Sequence, residues 1–399
     1  MLLMFLLLVS TAWCWEISFM EGFSILRKRN HDVQISLLEV EKAKGSLLQA
    51  KLLPNPTLSV SYTGTEISGG RIRDNSNTLF SVRLDQQIEL GGKRHYRVLA
   101  EDMGVKAQQY ASLQTLRDAY LNYVQAFFKT LSDREYLLYL REDLGSYDKI
   151  LSLQEEKWNK GVISLIDLMK LKAYRVDLQN AILQAEANYK SDLYQLSFLL
   201  NMDNIEPLKE NMGEPEASLE ELLKRAVAQD PQIRQLESLA RSWDYRIKLL
   251  QAYRIPDIDV GVEYDSFGVK YRPGLGVGVA ITLPIFDRRQ GDLLSAFSTR
   301  QQILLQLEKA KRQVETQVRQ AYLQYFASRQ SYLNMKNLKG QMDELLERTK
   351  RAYLLGGLSV LDFLDTLRTY RAFMYNFLSS YYGYLQAYYS LLVTAWALP

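Results

Sequence analysis

Two kinds of hydrophobic pattern alternate along this chain, and each occurs twice. Leu58, Val60 and Tyr62 alternate with Thr57, Ser59, Ser61 and Thr63, and Phe80, Val82 and Leu84 alternate with Ser81, Arg83 and Asp85. Further on, Ile258, Val260, Val262 and Tyr264 alternate with Asp257, Asp259, Gly261 and Glu263. A fourth run sets Leu275, Val277, Val279, Ile281 and Leu283 against Gly274, Gly276, Gly278, Ala280 and Thr282. This period of two predicts strands over 56–64, 78–88, 257–265 and 274–285, each with one apolar and one polar or small face. Their length, roughly 9–11 residues, is what crosses a bilayer at a tilt. The connections Gly64–Asn77 and Asp265–Pro273 carry Gly, Ser, Asn, Asp and Arg and read as exposed loops. Two amphipathic hairpins packed on a soluble core would satisfy the same alternation.

The second pattern is helical. From about Arg94 to Trp158 there is no proline, and Leu113, Leu116, Tyr120, Tyr123 and Phe127 step by three and four. A similar stretch runs from about Gly291 to Leu355, with Val314, Val318, Ala321 and Tyr325 on one stripe. Some 65 residues at 1.5 Å rise make a rod of roughly 100 Å. A return helix follows each, over about 165–200 and 360–396. Helices this long need partners along their length, which predicts extended helical hairpins.

The chain is written twice. Leu53-Pro54-Asn55-Pro56-Thr57-Leu58 lines up with Ile255-Pro256-Asp257-Ile258-Asp259-Val260. Ala119-Tyr120-Leu121-Asn122-Tyr123 matches Ala321-Tyr322-Leu323-Gln324-Tyr325, and Gly161-Val162-Ile163-Ser164 matches Gly356-Gly357-Leu358-Ser359. The unit of helix, two strands, long helix, turn and helix divides the chain into repeats at 15–200 and 218–399, with a linker at 201–217 and tip turns at 159–165 and 355–360. The fold class is mainly α with β.

Four strands cannot close a barrel, and an open edge cannot sit in lipid with unpaired backbone groups. Strands must come from other copies of the chain. Two copies give eight strands and an interior filled by side chains; three give twelve and room for a pore. The glycine- and serine-rich face of the strands favours the open lumen, hence a homotrimer.

Composition narrows the function classes. A formal net charge of +3 gives no reason to expect nucleic acid, and 47% hydrophobic residues argue against disorder. Nine prolines suit a mostly helical chain, and 26 tyrosines suit membrane interfaces and half-wet helix packing. With one cysteine, Cys14, and two histidines, His31 and His95, neither a disulfide framework nor an internal zinc site is expected. There is no catalytic constellation, so an enzyme is not expected, and no cofactor is called for. Residues 1–14 read as a secretory signal with cleavage after Ala12, although no positive segment precedes the apolar run. Cys14 raises a lipoprotein reading that Trp13, a poor fit for the small residue expected there, argues against.

Beyond the signal, no run of 18 or more apolar residues is present. An exported chain without a transmembrane helix is periplasmic, secreted or a β-barrel, and the rest of the sequence decides among these. Gly91-Gly92-Lys93-Arg94 lacks the spacing and the following Ser or Thr of a phosphate-binding loop. It reads instead as a strand leaving the membrane, with Lys93 and Arg94 anchoring at headgroup level.

Several motifs together carry a family resemblance. These are the strands opening after Pro54 and Pro256, the exits Gln87-Ile88-Glu89-Leu90-Gly91-Gly92-Lys93-Arg94 and Leu283-Pro284-Ile285-Phe286-Asp287, and the tip turns Trp158–Leu168 and Tyr353–Phe363. Over essentially all of 21–396 the chain resembles the TolC-like outer-membrane efflux proteins. The wording Glu89-Leu90-Gly91-Gly92-Lys93-Arg94 resembles the branch serving heavy-metal efflux pumps.

The resemblance implies a trimeric 12-stranded β-barrel in the outer membrane, continued in the periplasm by an α-helical barrel. It also implies a periplasmic adaptor and an inner-membrane pump as partners. The turns at Gly161, Ser164, Gly356 and Ser359 would then contact the adaptor. Asp362 and Asp365 would constrict the periplasmic entrance, with Asp167 and Tyr353 related to the gate. One departure stands out: a basic residue often found between the Gly and Ser of the second turn is Leu358 here.

The bland readings are capping for the tip turns and a solvated helix face for the two aspartates. The competing functions are a periplasmic long-helix scaffold and a non-efflux porin. The nature of the cargo is not written in the chain.

Overall fold

The computed structural model describes residues 15–68, 71–210, 212–267 and 272–398, with backbone only at 65–68, 71–78 and 267. The expected signal segment and Cys14 lie outside the described residues. The elements are β1 (Trp15–Ile17), α1 (Phe19–Arg29), α2 (His31–Lys51), β2 (Thr57–Ser68), β3 (Arg71–Ile88), α3 (Lys93–Asn159) and α4 (Leu165–Leu200). The second half supplies β4 (Ile205–Pro207), α5 (Leu219–Gln229), α6 (Pro231–Ala252), β5 (Ile258–Phe267), β6 (Gly274–Ile281), α7 (Gln290–Leu354) and α8 (Val360–Thr394). These elements form two compact units. One takes in 1–36, 113–230 and 311–399, the other 37–112 and 231–310.

The second unit holds a four-stranded antiparallel sheet in the order β2-β3-β5-β6. Its register brings like residues into rows across all four strands. Leu58 pairs Leu84, Leu84 pairs Val262, and Val262 pairs Val277; likewise Val60, Val82, Tyr264 and Leu275 form one row. This apolar face is uncovered: Leu275 is 88% and Val277 78% exposed.

The opposite face is polar and small. Arg83 holds Asp85 at 2.9 Å and lies 3.8 Å from Glu263, whose carboxylate accepts from the Ser81 hydroxyl at 2.6 Å. Gly261 makes room for this network, since a Cβ there would fall 2.2 Å from an Asp85 oxygen. Both edges, β2 and β6, lack a strand partner among the described residues.

Two strand boundaries differ from the sequence reading. The first hairpin does not end at 64 and restart at 78. After a register shift at Gly64 (φ 87°), Thr65 to Ser68 pair with Asp74 to Arg71. Polar side chains leave the backbone just as able to form a ladder, so composition alone misread this stretch as loop. Conversely, β6 stops at Ile281 rather than 285. Its partner β5 begins at Ile258, so residues past Ile281 have no strand partner among the described residues.

Where β3 leaves the sheet, Lys93 opens α3. Its ammonium is buried (2% exposed), 2.7 Å from both the Asp257 carboxylate and the Ile255 carbonyl, with the Tyr253 ring 5.3 Å away. Asp257 also accepts from the Leu90 backbone N–H at 2.9 Å. Lys93 is therefore not the headgroup anchor expected from sequence. Its charge is spent inside the unit, tying the end of the first repeat's strands to the start of the second's. Arg94 stays exposed, donating to the Lys51 carbonyl at 2.8 Å.

The first unit is helical apart from a small parallel ladder of β1 on β4. Phe19 and Phe23 of α1 pack against Tyr123, Phe127 and Phe128 of α3, and the Tyr123 hydroxyl donates to the Phe19 carbonyl. The expected linker at 201–217 is held down along part of its length. The Pro215 carbonyl accepts from the Tyr325 and Tyr384 hydroxyls, Glu214 pairs Lys336, and Glu216 pairs Arg329.

Replacing Asp257 by Ala strands the Lys93 ammonium in a buried site. Loss of one partner of such a pair costs about 3–5 kcal/mol. Asp257→Ala is expected to lower the thermal midpoint of the protein in detergent, read by circular dichroism, well below that of Asp257→Asn, which keeps an acceptor. Equal midpoints would remove the pair from its structural role.

Candidate functional site

The two tip turns are built by the same hydrogen bonds. At the end of α3, Gly161 takes a left-handed conformation (φ 73°). Its N–H donates to the Trp158 carbonyl at 2.8 Å, and the Val162 N–H reaches back to Lys157 at 2.9 Å. At the end of α7, Gly356 (φ 83°) donates to Tyr353 at 3.0 Å and Gly357 to Ala352 at 2.9 Å. Only glycine occupies that region without strain, which explains its place in both turns.

Each following helix opens on a serine cap. The Ser164 hydroxyl accepts from the Asp167 N–H at 3.0 Å and donates to its carboxylate at 2.8 Å. Ser359 does the same with Asp362, at 3.2 and 2.6 Å. The carboxylates also sit favourably at helix N-termini. The tips touch, with the Lys157 ammonium donating to the Leu354 carbonyl at 3.1 Å.

Beneath the turns, Leu168, Leu171 and Tyr174 of α4 share a core with Phe363, Leu364 and Leu367 of α8. Tyr353 stacks flat on Phe363, centroids 4.1 Å apart. Burial, with a smaller contribution from the Asp167 charge, pushes its phenol up to about 12, so it stays neutral. The expected gate-related pair, Asp167 and Tyr353, is thus brought into one electrostatic neighbourhood. The Tyr353 hydroxyl is buried and has no hydrogen-bond partner among the described residues.

The repeats then diverge. Asp167 has Lys170 at 3.4 Å, whereas Asp362 is followed at the same spacing by Asp365. Both Asp362 and Asp365 are exposed, and Asp365 has no ion-pair partner among the described residues. Leu358 is half-buried against the shared core. Around the turns, Val162, Ile166, Leu355 and Leu361 stand exposed, Leu355 at 88%.

Sequence reasoning missed a second acidic group further along α3 and α4. Asp192 is buried and receives the Lys129 ammonium at 2.5 Å, while Asp133 lies 4.0 Å from the same ammonium. Burial first, then the hydrogen bond to Asp192 and that residue's charge, push the Asp133 carboxyl up to about 7, against the pull of Lys129. The residues are 59 apart in sequence (192 minus 133) and lie on different helices, so no local spacing marks them. Among the described residues, no group of three or more His, Cys, Asp or Glu could hold a metal ion, and no helix is long and apolar enough to cross a membrane.

The sequence model of a family described as outer membrane efflux protein matches residues 23–202 and 222–393. The chain belongs to that family. The cobalt-zinc-cadmium resistance protein CzcC of Cupriavidus metallidurans is 23% identical over 280 residues, covering 69% of this chain and 65% of that protein. The chain thus spans just under two thirds of that relative. The outer membrane protein TolC of Escherichia coli is 24% identical over 407 residues, covering 92% and 79%.

Among solved structures, the CmeC outer membrane channel of Campylobacter jejuni superposes with a TM-score of 0.78 at 18% identity, over 94% of this chain and 84% of that one. CusC superposes equally well, at 17% identity over 94% and 91%. These likenesses show that the fold is that of outer-membrane channels.

Two outcomes follow from this geometry. Ser359→Ala removes the cap of α8, worth about 1 kcal/mol at such positions. Amide exchange at Asp362 and Phe363 is expected to speed up while that of the shared core stays unchanged. For Asp133, a folded-state pKa above the unfolded value means that the native state holds the extra proton. That contribution is complete below the ordinary carboxylate range and is lost as pH rises toward 7. Stability measured against pH should therefore fall across this window, and Asp133→Asn should flatten the fall.

Proposed function

We propose that three copies of this chain close their sheets into a 12-stranded barrel in the outer membrane, continued by the helical hairpins in the periplasm. The assembly passively conducts substrates delivered by an inner-membrane pump through a periplasmic adaptor. The observation that carries this reading is the sheet. It leaves whole rows of large apolar side chains uncovered on one face, puts charge and glycine on the other, and ends in two open edges. In water such a face is a liability. In lipid it is matched, provided the edges are paired.

The tips are the reading's second part. The turns at Gly161, Ser164, Gly356 and Ser359 hold exposed apolar residues on short, rigid closures, a surface suited to an adaptor's helical hairpin. Asp362 and Asp365 from three copies would make a ring of six carboxylates at the periplasmic entrance, attractive to cations. Asp167 and Tyr353 sit beside it as gate-related groups. With Leu358 in place of a basic residue, a salt-bridged gate at that point lacks one partner. Arg94, still exposed beside the barrel, remains as the interface anchor. Similarity to a relative named for cobalt, zinc and cadmium resistance supports a metal-efflux branch, with the cargo itself chosen by the pump.

Single-channel recording of the purified protein in planar bilayers tests the duct. The expected result is a small conductance that rises several-fold when Asp362 and Asp365 are both replaced by Ala. Unchanged conductance in that variant would remove the aspartates from the entrance. A protein that stays soluble and monomeric without detergent would end the channel reading altogether.

A further inference from the structure

Among the contacts between the two repeats, one joins their strands, and the parts of that joint can be named. Strand β3 of the first repeat pairs with β5 of the second. Past β3, the exit turn lays Gly91 onto the lead-in to β5: a Cβ at Gly91 would lie 3.1 Å from Ile255 Cδ1, 3.2 Å from Ile255 Cβ and 3.2 Å from the Ala252 carbonyl. Lys93 then locks onto Asp257.

Because the chain is duplicated, it carries each half of this joint a second time. The other lead-in precedes β2, where Ala50, Leu53 and Asn55 correspond to Ala252, Ile255 and Asp257. The other exit turn follows β6. Its alignment is set by backbone geometry. Gly92 and Arg289 both immediately precede a long helix, both accept its first backbone hydrogen bond (from Tyr96 and Leu293), and both have positive φ (74° and 58°). By position, Arg288 then corresponds to Gly91 and Gln290 to Lys93, although Gly91 has a positive φ (70°) that Arg288 does not share.

These second halves cannot meet within the chain, since β2 and β6 are opposite edges of the sheet. We infer that the exit turn Leu283–Gln290 of one copy docks on the lead-in Ala50–Asn55 of a second copy, with Arg288 over Ala50 and Leu53 and Gln290 against Asn55.

Three observations fit that occupant. Leu53, Leu283, Ile285 and Phe286 are all more than half exposed, Phe286 at 91%. Where the in-chain turn has a glycine and packs tightly, the second turn carries an arginine. The lead-in it would meet is correspondingly open, a cleft of about 540 Å³ lined by Ala50, Leu53, Glu89 and Glu101. Arg97 also lines the cleft and takes both oxygens of Glu89, so the acceptor for a further guanidinium is Glu101, which answers Arg246 through one oxygen. Finally, Gln290 and Asn55 are complementary amides: the Gln290 amide accepts from the Arg288 N–H and donates to the Phe286 carbonyl within the chain, and its remaining donor and acceptor capacity would give the in-chain lock a neutral counterpart.

This inference rests on the oligomeric reading above, and the test separates the two. In the in-chain counterpart a Cβ added at Gly91 would lie 3.2 Å from Ile255 Cβ, a little inside the roughly 3.5–4.5 Å of a disulfide, so Leu53→Cys with Arg288→Cys brings two thiols within bridging reach. Within one chain the two positions are separated by three strand spacings, roughly 14 Å, too far to bridge. After oxidation of the full-length protein in membranes, non-reducing gels should show the monomer band lost to dimers and a closed trimer, reversed by reductant. Either single variant, with Cys14 as its only other thiol, should give no such ladder.

A protein that native mass spectrometry finds trimeric but that does not cross-link overturns this joint alone. A monomeric protein overturns the oligomeric reading with it. As a check independent of cysteines, Asn55→Asp with Gln290→Lys should raise the temperature at which the oligomer dissociates in dodecyl sulfate, whereas Asn55→Asp alone should lower it. No difference between the two variants also overturns the joint.

Discussion

A backbone N–H or C=O with no partner is tolerable in water and very costly in hydrocarbon. Most of this structure follows from that asymmetry. Four strands in the order β2-β3-β5-β6 satisfy every interior ladder and leave two edges open, while their uncovered apolar rows favour lipid over water. A chain built this way does not complete itself. In the trimer proposed above, the edges of each sheet are paired by those of neighbouring copies.

The tips obey a different constraint. The end of a long helix leaves carbonyls unsatisfied, and the start of the next leaves N–H groups unsatisfied. Both turns meet these demands largely by themselves, with a left-handed glycine and a serine–aspartate cap within a handful of residues, and the Leu354 carbonyl takes a further donor, Lys157, from the other tip. Such self-sufficiency leaves the outer surface of the turn free, and the two repeats use that freedom unequally. The first balances its aspartate with Lys170, whereas the second adds Asp365.

What could be read from sequence was what depends on neighbours in sequence. Strand alternation, helical stripes, and the glycine and serine of each tip operate over two to four residues, and the structure places strands, helices and caps accordingly. Contacts between distant segments were not legible. Lys93 looked like an exposed cation beside a membrane, because its partner Asp257 lies in the other repeat. The tyrosines that hold Pro215 are more than a hundred residues from it, and Asp133 gained its neighbour Asp192 only when α3 and α4 folded together. The extended first hairpin was misread for another reason: polarity says where a side chain can go, not whether its backbone can pair.

The ionic lock between Lys93 and Asp257 also bears on how such a molecule could be assembled. Both partners belong to one chain, so they meet at high effective concentration as it folds, and neither charge has to wait unpaired in a dry site. A joint between separate copies has no such guarantee, since each chain must persist for a time with its half unmet. Amides at Asn55 and Gln290 suit that waiting period. They remain hydrated at little cost, leave no stranded charge if no neighbour arrives, and respond weakly to ionic strength when one does. On that reading the duplication sorts its chemistry by timing, with charge at the seam closed during folding and neutrality at the seam inferred between copies.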